Sequence, residues 1–335
     1  MIETPATSPP SFEYHKPFRG RLTWWLRCLG LVAFVLLLLN LPQAQENSVW
    51  RIEFRWLGAC MALVGLQLLL EAFVWRWLLA AQRIAYPYRK AVVASLASEY
   101  LGLVTPGHVG ELLAAGYIST DTGITFGYAL SSVIMKKALN WVAIVGFGIW
   151  GLPLLSELSW LHGVGGVALG SLGALLLLSG GVAIWVVSLR RLTRRWEQRA
   201  SGRVDLTEFW SGMRHLVSWK LLVPLAVTLL GFSLLFIQFD LVLRALGVTL
   251  PIGLLGQMIA LSRFAARLIP MSVAGFGSKD VLLIMVLMRH GLVFSTAATS
   301  TLLFYLCSYL LTLLLSGLCW RIKPLTVRRA QRTSL

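Results

Sequence analysis

Apolar runs of about 20 residues recur along the chain, separated by short polar segments rich in arginine. Residues 22–41, 55–80, 124–150, 163–188, 221–246 and 292–320 are each long enough to cross a hydrocarbon layer of about 30 Å as a helix. A helix satisfies its own backbone hydrogen bonds in lipid, so these runs predict six full spans. Two further stretches break the pattern. Residues 91–104 and 111–119 are too short to cross and are joined by Thr-Pro-Gly-His-Val-Gly; residues 252–270 and 275–289 meet at Pro270 and a glycine turn. Each pair reads as a re-entrant helical hairpin.

The two hairpins match in register. Pro87, Ser98, Tyr100 and Pro106 fall 164 positions before Pro251, Ser262, Phe264 and Pro270. After each second proline come two glycines and an acid: Gly107, Gly110 and Glu111, then Gly275, Gly277 and Asp280. Farther on, Gly123, Phe126 and Ala129 precede Gly291, Phe294 and Ala297 by 168. An internal repeat of this kind sets the whole architecture. The expected organisation is a tail (1–21), a first span with an external loop (22–54) and repeat one (55–151, hairpin 91–119). A connecting span with a basic cytoplasmic loop (152–220), repeat two (221–320, hairpin 252–289) and a basic tail (321–335) follow.

Charge fixes orientation. Of 30 lysines and arginines, 20 fall on the flank of the first span, the loop after the second, residues 190–220 and the tail. Both termini are therefore expected on the cytoplasmic side of the inner (cytoplasmic) membrane. Counting spans, hairpin one opens to that side and hairpin two to the other. The fold expected is thus an all-α polytopic membrane protein, six spans plus two re-entrant hairpins in an inverted-topology repeat. The composition agrees, with 57% hydrophobic and 13% charged residues and mean hydropathy +0.74. The net charge of +16 reads as topology-setting arginine against anionic lipid, not as a nucleic-acid surface. The four cysteines have neither disulfide nor zinc spacing, and no nucleotide-binding or nucleophile motif appears. No cofactor, no metal and no catalytic residue is expected.

Charges inside apolar segments cost roughly 2.5–3.5 kcal/mol each on insertion scales, so each needs a partner or a task. Arg263 and Arg267 share one helix face before Pro270 and could clamp a phosphate with paired hydrogen bonds, or form structural ion pairs, with Glu99 at the position matching Arg263. Lys279 and Thr105 could contact the same ligand. Gly107, Gly110, Gly275 and Gly277 could expose amides at half-helix ends as an anion site, or permit close packing. Glu111 and Asp280 either complement a helix dipole or take up a proton or cation that couples or gates transport. His108 is a weaker proton-carrier candidate. Pro106 and Pro270 are the structural breaks. Lys136 and Lys137 are adjacent, so one is expected to snorkel. Asp240 and Arg244, four apart, form an internal pair. Trp24, Trp25, Trp75 and Trp77 read as interface anchors.

The motifs 103–111 (LVTPGHVGE) and Leu268-Ile-Pro-x4-Gly-Phe-Gly-x2-Asp280 resemble the lysylphosphatidylglycerol synthase transmembrane region family over residues 87–320. The resemblance implies a membrane part that moves lipid between leaflets, beside a cytosolic aminoacyl-transferase domain that makes it. Only 15 residues follow the last span, so translocation without synthesis, and no enzyme, is expected. The chain departs from the family in carrying Lys136, Lys137 and Asn140 where an acid-basic pair and an acid are common, which leaves the ligand open. The leading expectation is a flippase for an anionic or phosphate-bearing lipid. The alternatives are a small-anion secondary transporter and the membrane component of an enzyme that modifies a lipid or polyprenyl phosphate. The expected partners are a membrane phospholipid or lipid-linked phosphate, a cytosolic enzyme docked at the 190–203 loop, and a second copy of the chain.

Overall fold

The computed structural model describes residues 52–156, 206–268, 272–273 and 276–324. The expected spans at 22–41 and 163–188 and the 190–203 loop lie outside the described residues. Within them the protein is helical, and four helices are long and apolar enough to cross a membrane: Phe54–Ala81, Phe126–Gly151, Trp219–Ala245 and Phe294–Ile322. It is a multi-pass membrane protein.

In chain order, α1 is Phe54–Ala81 and α2 is Tyr88–Val104. A 3-10 turn, Pro106–Leu113, leads into α3, Ala114–Thr122, and the long α4, Phe126–Gly151. Then come α5 (Leu206–Leu216), α6 (Leu222–Ala245) and α7 (Ile252–Leu268). Two-residue strands, Ser272–Val273 and Phe276–Gly277, pair antiparallel before α8, Ser278–Arg289. The last span is not uniform: α9 (Phe294–Tyr305) passes through a π-helical turn, Leu306–Leu310, into α10 (Leu311–Ile322).

The punctuation has visible causes. Proline at the head of α2 (Pro87) and at the first position of the 3-10 turn (Pro106) supplies a fixed φ where an amide donor is not needed. α2 and α7 are both 17 residues and begin 164 positions apart. Gly123 ends α3 at φ 71° and Gly291 follows α8 at φ 88°, left-handed conformations that glycine adopts without a Cβ penalty. The second arm of the first hairpin differs from expectation. Residues 111–113 belong to the 3-10 turn, and the α-helix starts only at Ala114.

Two large apolar clusters make the core. One gathers Trp75, Ala91, Ala94, Tyr117 and Ile118 with Ala129–Ile134 of α4; the other gathers Phe232–Leu243, Leu255–Phe264 and Leu283–Leu287 with Ala143 and Ile144 of α4. The helix α4 therefore belongs to both. Its far end crosses α7 closely because a Cβ on Gly148 would lie 2.6 Å from the Phe264 ring, and one on Gly151 would lie 2.7 Å from the Gln257 carbonyl oxygen. Small residues at such crossings let backbones approach, which is how helices associate where solvent hydrophobicity gives no drive. The reciprocal contact joins α10 to α2, with Gly317 against the Tyr100 ring and Trp320 stacked on it at 5.3 Å.

Trp75 is not the interface anchor its cluster suggested. It is 1% exposed and donates from Nε1 to Ser132 Oγ at 3.2 Å, because its position on α1 faces α4. Cys60 on α1 and Cys307 in the π turn are free thiols in hydrogen-bond contact, although nothing in their spacing pairs them.

Candidate functional site

The first hairpin is folded back by its own side chains. Thr105 Oγ1 donates to the Leu101 carbonyl at 2.7 Å and accepts from the Gly110 amide at 2.8 Å. A Cβ on Gly110 would sit 2.2 Å from that same carbonyl oxygen, and one on Gly102 would sit 2.5 Å from Glu111 Cγ. Glycine at both positions lets the turn lie flat on α2 and brings Glu111 back beside it. Thr105 and Gly110 thus build the turn. The Gly110 amide is engaged internally, which removes it from the set of free donors the sequence offered.

Around Glu111 the long helices contribute a charged cluster that the sequence did not assemble. Lys137 Nζ lies 2.5 Å from Glu111 Oε2, the two side chains 25% and 22% exposed. Its neighbour Lys136 reaches Ser95 Oγ at 3.3 Å and Glu71 Oε2 at 3.8 Å. The line continues through Gln67 Nε2, which donates to Glu71 Oε1 at 3.4 Å, and Gln238 Nε2, which donates to Gln67 Oε1 at 3.0 Å. Glu99, on α2, lies within electrostatic reach of Glu71, Glu111, Lys136 and Lys137. Adjacent helical residues diverge by about 100°, so one cavity wall would not hold both lysines. Each instead turns to a carboxylate on a different element, Glu71 on α1 and Glu111 on the turn, and neither needs to snorkel.

Three carboxylates and two ammonium groups inside a bundle of apolar helices is an unusual investment. Desolvating a charge costs several kcal/mol, and only good partners return it. Glu71 keeps 41% of its side-chain surface and Lys136 24%, so this end of the cluster is open. Such a lattice offers an incoming polar group both a cation and an anion to exchange with.

The second half places its candidates differently. Asp280 is buried in the first turn of α8, where its charge complements the helix dipole. It lies within electrostatic reach of Tyr305, whose ring stacks on Tyr309 at 4.9 Å across the π turn. Such turns interrupt the regular ladder and recur at functional sites. Arg263 is half-buried on α7. Arg267 lies in α7, Lys279 in α8, Gly107 and His108 in the 3-10 turn, and Gly277 in the second strand, but their side chains lie outside the described residues, as do Pro270 and Gly275. Asp240 and Arg244 pair as expected, at 2.7 Å, on α6.

Outside the spans, Asp121 at the end of α3 accepts from Tyr86 Oη at 2.5 Å and pairs with Lys323 at the end of α10. Burial pushes the Asp121 carboxyl up, but the hydrogen bonds from Lys323 and Tyr86 and the charges of Lys323 and Lys90 outweigh it and hold the carboxyl below its ordinary value. For Tyr86, burial and then the bond to Asp121 raise the phenol, so it stays neutral.

The hairpin fold and the motif residues agree with one sequence family. The family model for the lysylphosphatidylglycerol synthase TM region matches residues 24–316. The chain belongs to this family. The match spans three of the four described long helices in full and all but the last six residues of Phe294–Ile322, and it supports a membrane role related to lipid. No curated protein and no solved structure is detectably similar to the chain.

The family motifs lead to Glu111 and Asp280 but not to Glu71, Ser95, Gln67 or the lysine pairing. A signal for these was present. Glu71 and Lys136-Lys137 are ionisable residues in apolar spans, and charges in that setting require each other.

Proposed function

We propose that this protein is a lipid translocase that passes an anionic or phosphate-bearing headgroup between leaflets while the hydrocarbon tails stay in the bilayer. The observation that carries the reading is the partly open charged lattice of Glu71, Glu99, Glu111, Lys136 and Lys137 within a bundle of membrane-length helices. A lysine held by a carboxylate can trade that partner for a phosphate so that its ammonium is never left bare, which lowers the barrier for an anionic group at mid-membrane. Arg263 and Arg267, on the matching face of the second hairpin, supply the phosphate-binding fork on the other side. In this reading the chain is a transporter and not an enzyme.

The matching 17-residue helices α2 and α7 and the two left-handed glycines support an inverted repeat of six spans and two re-entrant hairpins. So do the reciprocal contacts, in which Tyr100 meets Gly317 and Phe264 meets Gly148. Each hairpin then rests on the long span of the other half, and rocking one half against the other alternates access. The cell membrane, with both termini cytoplasmic, follows from the arginine distribution.

The test is translocation of headgroup-labelled phosphatidylglycerol and polyprenyl phosphate in proteoliposomes, with Lys136→Gln/Lys137→Gln and Arg263→Ala/Arg267→Ala as separate variants. The expected result is movement of at least one lipid by the wild type and loss of about tenfold or more in each folded variant. A folded wild type that moves neither lipid removes the reading.

A further inference from the structure

The charged lattice accounts for a headgroup and leaves the tails unassigned. A groove of about 300 Å³ lies between α4 and α6, lined by Gly146, Phe147, Trp150, Leu229 and Phe236. Its wall is a packed aromatic set: Phe147 stacks on Phe232 at 4.9 Å and meets Phe236 edge-on at 5.3 Å, with Trp150 6.1 Å from Phe236. Trp150 keeps its place beside Gly256, where a Cβ would fall 2.8 Å from the indole. The groove is therefore a shallow, open depression walled by packed aromatic rings. Gly146 has nothing within 4 Å of a Cβ position, so space in front of it is open.

Its position relative to the lattice is set by helix geometry. Phe147 follows Lys136 by 11 residues, three turns, so the two lie on one face of α4 about 16 Å apart. Between them on that face, Asn140 is exposed, a polar side chain at mid-span where lipid alone would give it no partner.

We propose that this groove holds one hydrocarbon chain of the lipid whose headgroup engages Lys136 and Glu71. The inference rests on the translocase reading and extends it from the headgroup to the tail. Volume places the groove at the small end of ligand sites, about 300–1,000 Å³, enough for a stretch of one chain and not for a whole lipid. Lipid tails are as apolar as the groove, so its contribution is shape and van der Waals fit, that is, selection of the chain and alignment of the lipid along α4.

Proteoliposomes containing phosphatidylglycerol with a photoactivatable diazirine midway along one acyl chain test this in the full-length protein. Adducts mapped by mass spectrometry are expected to concentrate on the 146–150 and 229–236 segments, about tenfold over Leu314 and Leu318, which are exposed on α10, and to be competed by unlabelled long-chain phosphatidylglycerol. Gly146→Trp, which fills the groove from open space, is expected to abolish those adducts. Binding of soluble dihexanoyl phosphatidylglycerol, read by competition with the headgroup label, stays unchanged. Leu314→Trp is the control and changes neither. Adducts spread evenly over bilayer-facing residues, as for unselected boundary lipid, overturn the proposal in the wild type alone, whatever the variant does. Concentrated adducts without any translocation would keep the groove and remove the translocase reading.

Discussion

Lys137 and Tyr305 stand 168 positions apart, at matching points on the long helices that follow the two hairpins. Lys137 faces Glu111 of its own hairpin, and Tyr305 lies near Asp280 of its own. One residue earlier the contrast repeats. Lys136 reaches a carboxylate on α1, whereas Phe304 packs edge-on against Phe239 of α6 at 5.2 Å. On α2 and α7 the matching positions hold Glu99 and Arg263, opposite charges. At these matched points the first half sets two lysines against carboxylates, and the second sets two aromatic rings against other rings.

The largest effect that would break this comparison comes from removing one charge. Lys137→Met leaves the Glu111 carboxylate without its ammonium. Breaking a buried pair costs roughly 3–5 kcal/mol. These side chains keep about a quarter of their surface, so about 2 kcal/mol is expected, read as a fall in the unfolding midpoint in detergent. Adding Glu111→Gln should restore most of the stability without restoring translocation. Tyr305→Phe, the matching change, should cost under about 1 kcal/mol. Equal losses at the two positions would mean that the halves do not differ in kind.

A smaller effect concerns the reciprocal glycine contacts. Gly148→Ala puts a Cβ 2.6 Å from the Phe264 ring, so overpacking should cost about 1–3 kcal/mol, whereas Gly317→Ala meets the Tyr100 ring at 3.4 Å and should stay within about 0.5 kcal/mol. Pairing Gly148→Ala with Phe264→Leu should recover part of the loss. If both alanines are neutral, the helix crossing at α4–α7 is looser than the one described.

The division between what could and could not be read from the sequence follows the same line. Pro87 and Pro106 were legible as the head of α2 and the start of the 3-10 turn because they act on the local backbone, and Asp240–Arg244 was legible because a pair four apart needs only one helix. The α1 and α6 boundaries fell within two residues of the apolar runs. The charged lattice was not legible. Glu71, Ser95, Glu111 and Lys136 come from four separate segments, and only their packing makes them neighbours. A glycine turn in a span suggests free amides, Gly110 among them. The fold uses the threonine hydroxyl to engage that amide, a contact that depends on the 3-10 geometry after Pro106. The π turn beside Tyr305 left no mark in an otherwise even apolar run.

The smallest predicted effect sharpens the comparison at the ends of the spans. Asp121, Tyr86 and Lys323 tie α3 to the end of α10 in the first half, and the position matching Asp121 in the second is Arg289, which is exposed. Because the folded state holds the Asp121 carboxyl below its ordinary 3.8, the tie stabilises the folded protein above that value and is lost as pH falls through the lowered one. The carboxyl is about a fifth exposed, so the contribution is expected to stay under about 1 kcal/mol. Amide exchange at the ends of α3 and α10 should therefore be unchanged from pH 7 to about 5 and rise only once the pH has fallen below the ordinary 3.8, while α8 shows no matching step. Asp121→Asn should give the fast exchange already at neutral pH and remove the step. A step that survives in that variant would assign the acid sensitivity to another carboxylate, and Glu111 and Glu99, in the charged lattice of the same half, are the next to test.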